Sequence, residues 1–176
     1  MNRGLKLCAL AALSLLALAG CKSSREVVKI CPRVVVLGEA ADVTIFAPGG
    51  EDEANMSYRG RVNNTFTECD IDEGVVESDI TIMFAALRGP KAPAGEFTVT
   101  LPFFVTTTEV DAAVLSRQTG TGTLDFDADS GSAVTEIDID GITIPIAEGH
   151  KTINYEIVVG LSLTPEQLAY NRRRFR

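Results

Sequence analysis

Tryptophan is absent, histidine occurs once, at His150, and cysteine only four times in 176 residues. A lone imidazole and four scattered thiols exclude most zinc sites, which need three or four such ligands. No Cys-x-x-Cys is present to serve thiol exchange. No Gly-x-Ser-x-Gly elbow occurs, so a hydrolase triad lacks its usual frame. Basic residues are in the minority, 16 against 24 acids, for a net charge of −8. That balance argues against nucleic acid as a partner. What is present is ordinary for a folded chain: 45% hydrophobic residues and a length that suits one domain with a short targeting segment.

The targeting segment is explicit. Arg3 and Lys6 form a basic start, Leu7 to Leu18 an apolar run, and Ala19 and Gly20 a small-residue exit. This is the pattern of a secretory signal peptide, and the apolar run is well short of the ~20 residues of a membrane span. Its end, Leu18-Ala19-Gly20-Cys21, resembles the lipobox of bacterial lipoproteins. The resemblance implies a diacylglycerol thioether on Cys21, cleavage before it, and acylation of the new amino terminus. Lys22 and Ser23 follow in place of an Asp, which in that class favours export to the outer membrane, facing the periplasm. Several acyl chains anchor a protein stably where one does not. The expected division is a signal peptide over 1–20, a lipidated tether over 21–30 and a single domain over 31–176.

Three further stretches, Cys31-Pro32-Arg33-Val34, Arg88-Gly89-Pro90 and Val159 through Arg173, are similar to a group of small lipoproteins from alphaproteobacteria. They cover well under a third of the chain. The group has no assigned activity, so the resemblance carries over no catalytic or binding residue.

Charge is unevenly spread. Residues 22–33 carry Lys22, Arg25, Lys29 and Arg33 against Glu26, and residues 170–176 carry four Arg. Residues 34–169 hold six basic and 23 acidic residues. The basic tether falls where anionic headgroups would lie, worth up to ~1 kcal/mol per charge at the surface. From Cys21 to Cys31 it spans at most ~35 Å. With Cys8 lost in the signal peptide and Cys21 acylated, Cys31 and Cys69 remain, and an oxidising periplasm predicts a disulfide between them.

Beyond residue 30 the periodicity is that of strands. Apolar residues alternate with polar ones from Ile153 to Leu163, Ile80 to Ala86, Phe97 to Leu101, Leu124 to Phe126, Ile137 to Ile139 and, after a turn at Gly141, Ile142 to Ile146. Val34–Leu37, Val43–Phe46 and Arg59–Ile71 supply three more. Gly- and Pro-rich punctuation separates these runs. The fold class expected is all-β, an immunoglobulin-like antiparallel β-sandwich, with a small β-barrel as the second choice. One helix is expected at the end, where Thr164-Pro165-Glu166-Gln167 fits a capping box with proline at the first helical position.

Candidate sites are few. Asp125, Asp127, Asp129 and Glu136 fall at positions 1, 3, 5 and 12 of a calcium-loop spacing, whose hard oxygens suit Ca²⁺. Position 6 is Ser130, where the sharp turn wants Gly, and the flanks read as strands. Strand edge and turn is therefore the reading, with calcium the lesser alternative. Gly120-Thr121-Gly122-Thr123 lacks a Walker Lys and reads as a hairpin turn or bulge. His150 reads as a loop residue ahead of the last strand. Tyr170, Arg172, Arg173, Arg174, Phe175 and Arg176 form a partner- or lipid-facing candidate, since Arg forks and aromatic rings suit interfaces. The function expected is a lipid-anchored periplasmic binding or structural module of the cell envelope, without catalysis and without a cofactor. Its partners would be the membrane, through the anchor, and an envelope protein. The alternatives are an envelope-glycan enzyme using paired carboxylates and a Ca²⁺-dependent adhesion module.

Overall fold

The computed structural model describes residues 30–110 and 114–174; Cys21, the tether through residue 29, Phe175 and Arg176 lie outside them. The alternating runs become eight strands: β1 (Arg33–Val36), β2 (Asp42–Phe46), β3 (Met56–Asp72), β4 (Val75–Arg88), β5 (Phe97–Glu109), β6 (Val114–Phe126), β7 (Ser132–Pro145) and β8 (Tyr155–Leu161). One helix, α1 (Pro165–Arg174), comes after them. Sheet I has the order β1-β8-β5-β6 and sheet II the order β2-β3-β4-β7. All pairings are antiparallel except that of β1 with β8. The chain is an all-β sandwich with a short C-terminal helix, as the periodicity requires. Its strand order is not the ABED and CFG division of immunoglobulin constant domains. Here β2, β3 and β4 form a meander within one sheet, and the first and last strands lie side by side.

Inward side chains of the two sheets meet in one core. Phe84, Phe103, Phe126, Tyr155, Ile80, Ile82, Leu101 and Leu124 are all buried. Each such side chain contributes about 1.5–3 kcal/mol on leaving water. The alternation Val76, Ser78, Ile80, Ile82, Phe84, Ala86 places every second residue of β4 inside. The last long run is shorter than its periodicity suggested. Thr152–Asn154 form a single 3₁₀ turn that leaves Ile153 62% exposed, and β8 starts at Tyr155. The run Phe97–Leu101, by contrast, continues to Glu109.

Two β-bulges decide which residues face the core. In β7 the expected turn at Gly141 is absent. One strand runs through, and Asp140 and Gly141 together stand opposite Asp79. Gly141 takes φ +69° and gives its N–H to the Asp79 carboxylate at 2.8 Å. A side-chain period of two cannot carry both Ile137/Ile139 and Ile142/Ile144 inward without one extra residue, and the bulge supplies it. In β3 the register shifts between Val62 and Asn64. Val62 faces in before the shift, and Thr65, Thr67 and Cys69 face in after it. Without that bulge Cys69 would point to solvent.

The glycines expected at a turn lie inside β6. An added Cβ on Gly120 would come 2.5 Å from the Phe103 ring, and one on Gly122 3.0 Å from Phe84. Both are glycine because aromatic rings from the neighbouring strand and the opposite sheet lie against the backbone there.

Candidate functional site

The tether enters the sandwich at a covalent staple. Cys31, two residues before β1, is disulfide-bonded to Cys69 on β3, with the Cα atoms 5.8 Å apart. Cys69 lies three residues before the end of β3 and the tight β3–β4 turn, where Glu73 and Gly74 both take positive φ, as a two-residue hairpin loop demands. The bridge joins sheet I's edge to sheet II. It closes a separation of 38 residues, worth roughly 4 kcal/mol in the chain-entropy account. The parallel strands β1 and β8 run away from this end, so α1 begins at the end remote from Cys31.

The C-terminal helix starts as its sequence specifies. The Gln167 N–H donates to the Thr164 hydroxyl at 3.3 Å, and the Gln167 side-chain oxygen accepts from the Thr164 N–H at 2.9 Å. The Glu166 carboxyl is held below its ordinary value by its own backbone N–H and by the Thr164 hydroxyl. The remainder of the helix is not presented to solvent as an isolated basic patch. Tyr170 meets Phe46 edge to face at 5.1 Å. Asn171 is buried, and its amide donates to the carbonyls of Glu39 at 3.0 Å and Asp42 at 2.7 Å. Arg172 pairs with Glu39 at 2.8 Å, Arg173 with Glu51 at 2.6 Å and Arg174 with Asp42 at 3.0 Å. These partners belong to the chain itself, so Tyr170 and the three described arginines serve to clasp α1 to the β2 flank. No local sequence pattern could have paired them with acids more than 120 positions away.

The calcium-spaced acids do not converge. Asp125 sits on β6 and accepts from the Thr98 hydroxyl at 2.6 Å. Asp127 and Asp129 lie in the turn after β6, and Glu136 stands on β7, in the other sheet, opposite Met83. Among the described residues no group of three or more His, Cys, Asp or Glu side chains is placed to hold a metal ion. The densest carboxylates occupy the open outer face of sheet II, where Glu68 stands directly opposite Asp79 and Asp70 opposite Glu77. His150 Nδ1 lies 3.8 Å from the Glu109 carboxylate and 3.4 Å from the Tyr155 hydroxyl. That hydroxyl accepts from the Ala147 N–H at 2.8 Å. Tyr155 thus ties the β7–β8 loop back to the core, much as the tyrosine corner of Greek-key sandwiches does.

Sequence reasoning missed the chief polar keystone, Arg88. Its guanidinium donates to four main-chain carbonyls: Ser130 at 2.8 Å, Pro93 at 3.0 Å, Gly95 at 3.0 Å and Asp127 at 2.8 Å. It also lies 4.6 Å above the Phe97 ring, which stacks on Phe126 at 4.6 Å. One side chain thereby locks the β4–β5 loop to the β6–β7 turn. The signal available was Arg88-Gly89-Pro90 itself: an added Cβ on Gly89 would lie 2.1 Å from the Met56 carbonyl oxygen.

Two open grooves adjoin α1. One, of about 370 Å³, runs between β2, Gly50–Glu51 and the helix face of Glu166, Gln167 and Tyr170. The other, of about 240 Å³, opens between the sheets at Val43, Ile45, Tyr58, Leu101 and Leu163. Ile45 and Gln167 border both. Burial pushes the Tyr58 phenol up from its ordinary value. Among the described residues no helix is long and apolar enough to cross a membrane. Comparison with known proteins finds no matching family model, no matching curated protein and no matching solved structure.

Proposed function

We propose that the chain is a lipid-anchored, non-catalytic module of the bacterial envelope. In this reading Cys21 holds it on the periplasmic face of the outer membrane, and the sandwich acts as a binding or structural unit. The observation that carries the reading is the Cys31–Cys69 bridge. A chain tethered through its amino terminus transmits any pull into its first strand. Here that strand is a four-residue edge strand whose only hydrogen-bonded neighbour among the described strands is β8, so it would peel more readily than an inner strand. The bridge diverts the pull into β3, a 17-residue strand inside sheet II. A disulfide also suits an oxidising compartment. The tether of at most ~35 Å then keeps the staple near the bilayer, with the carboxylates of Asp70, Asp72, Glu73 and Glu77 around the β3–β4 turn. Those acids would be repelled by anionic headgroups and so hold the sandwich off the surface.

The test is metabolic labelling with a radioactive fatty acid, followed by membrane fractionation. The unaltered chain should take up label and sediment with the outer membrane. Cys21→Ser should take up none, and should accumulate as precursor or leave the outer-membrane fraction. An unlabelled native chain, or a Cys21→Ser variant that fractionates as before, refutes the anchor.

A further inference from the structure

The strands of sheet I do not end together. β8 pairs with β5 only from Phe103 to Glu109, the register closing at Leu161 opposite Phe103. One more bond lies beyond it, from the Ser162 N–H to the Pro102 carbonyl at 2.8 Å. Proline has no N–H to return, so the ladder stops there, which is why a proline is tolerated in this strand. β5 nevertheless continues to Phe97, paired on its other side with β6 through Leu101–Gly122, Val99–Leu124 and Phe97–Phe126. Along Thr98–Leu101, therefore, β5 has an open edge beside a sheet position that β8 has left.

The phase of the ladder says which groups face that edge. In an antiparallel ladder the N–H and C=O of one residue point to the same side, and successive residues alternate. The Ser162–Pro102 bond shows that even-numbered residues of β5 point toward β8. The N–H and C=O of Thr98 and Thr100 accordingly face the open edge, while Val99 and Leu101 serve the β6 ladder and send their side chains into the core. Next to the edge lies the 240 Å³ cleft, with Val43, Ile45, Tyr58, Leu101 and Leu163 as its apolar lining. The lining of the cleft carries no charge of its own, but the domain around it, residues 34–169, holds 23 acidic against six basic residues.

We propose that the open β5 edge at Thr98–Thr100 binds an extended, basic peptide segment of a protein partner by strand addition, with an apolar side chain of that segment seated in the cleft between the sheets. Main-chain bonds would give the affinity and the cleft the selectivity. The domain's excess of acids over bases favours a cationic segment. What sets this edge apart is that main-chain groups and an apolar side-chain pocket lie together, so one extended segment can engage both. The proposal rests on the reading of the sandwich as a binding unit, not on the lipid address.

The experiment uses the purified mature chain with its disulfide intact and a synthetic peptide of about twelve alternating valines and lysines, the strand-addition pattern. Amide exchange and NMR are expected to show new protection at Thr98 and Thr100. N-methylation of the peptide's amides along one edge should weaken binding about tenfold or more. Replacing its lysines by glutamates should do the same. In the protein, Thr100→Pro deletes one edge donor without touching the β6 ladder, and it should abolish protection while the melting temperature stays near native. If that variant fails to fold, the N-methylated peptide decides alone. Protection at the β6 or β7 edge instead, indifference to N-methylation, equal binding of the acidic peptide, or no binding at millimolar peptide overturns the proposal. So does protection of Thr98 and Thr100 by self-association, which would make a second copy the occupant. Failure here leaves the fatty-acid labelling result standing, and failure there leaves this one standing.

Discussion

Arg88 and the run Arg172–Arg174 carry the same side chain into two different surroundings. Arg88 is half-buried, lies over stacked Phe97 and Phe126, and gives its N–H groups to four carbonyls. No carboxylate is among those partners. The C-terminal arginines each meet a carboxylate, but Arg172 and Arg173 do so in the open, with side chains 54% and 60% exposed. Exposed ion pairs contribute about 0–1 kcal/mol and fade with salt. Charge-assisted bonds to main-chain carbonyls contribute roughly 1.5–3 kcal/mol each where water is partly excluded. The conspicuous basic cluster is thus the weaker of the two fastenings, and the inconspicuous single arginine the stronger.

Removing Arg88 is the largest test of that contrast. Arg88→Met keeps the stem over the rings and takes the guanidinium donor from four carbonyls, of which Asp127 retains the Ser130 N–H at 3.1 Å. We expect a loss of about 3 kcal/mol, seen as a fall in melting temperature of roughly 10 °C. Arg88→Lys should recover less than half, because an ammonium cannot reproduce the planar fork. A fall of only a degree or two would erase the distinction. Asn171→Ala comes next. It deprives the Glu39 and Asp42 carbonyls of their donor under the helix, and a loss of about 2 kcal/mol is expected in the same melt. Should Asn171→Ala outweigh Arg88→Met, the C-terminal clasp would be the stronger fastening after all.

The same contrast separates what the sequence makes legible from what it hides. Strands are legible wherever one face is buried, as in Ile80–Ala86, because burial writes a period of two into the sequence. The capping box at Thr164–Gln167 is legible because its partners are three residues apart. The Cys31–Cys69 pairing emerges from counting thiols. The far half of β5 and the start of β6 are not legible: Thr106, Thr107 and Thr108 stand in a row there, and Ser116 meets Thr107 hydroxyl to hydroxyl at 2.7 Å, so hydropathy does not alternate. The parity change between Ile139 and Ile142 is visible, but a turn and a bulge both account for it, and only pairing with β4 selects the bulge. Gly89-Pro90 marks the corner at Arg88, but the partners of Arg88 are illegible, because they are main-chain carbonyls, which every residue possesses. The clasp acids are illegible for a different reason: 23 acids between residues 34 and 169 offer too many equal partners.

Salt and pH sharpen the comparison where mutation alone is coarse. Changing Arg172, Arg173 and Arg174 together to Gln should lower the melting temperature slightly at low ionic strength and hardly at all at about 0.5 M salt, roughly three times physiological. The effect of Arg88→Met should persist at that salt, since its carbonyl partners are neutral. A triple variant whose deficit survived high salt would place these arginines with Arg88.

The smallest effect is expected at the helix start. The Glu166 carboxyl is held below its ordinary value of 4.5 by its own backbone N–H and the Thr164 hydroxyl. A carboxyl whose folded value is depressed adds stability that is fully present above its unfolded value and is lost as pH falls through the folded one. Acidification below about 4.5 should therefore loosen the first turn of α1, in the direction of less stability, while the carbonyls around Arg88 do not titrate. Amide exchange of Gln167 and Leu168, followed from about pH 6 to about 3, reads the first turn, and the Arg88 N–H and the Ser132 amide read the other corner. In Glu166→Gln the carboxyl's share of the acid-induced loosening should disappear, and α1 should lose a little stability above about pH 5. Acid loosening at the Arg88 corner before α1, or an unchanged profile in Glu166→Gln, would show that the helix start is not where this sandwich first yields to protons.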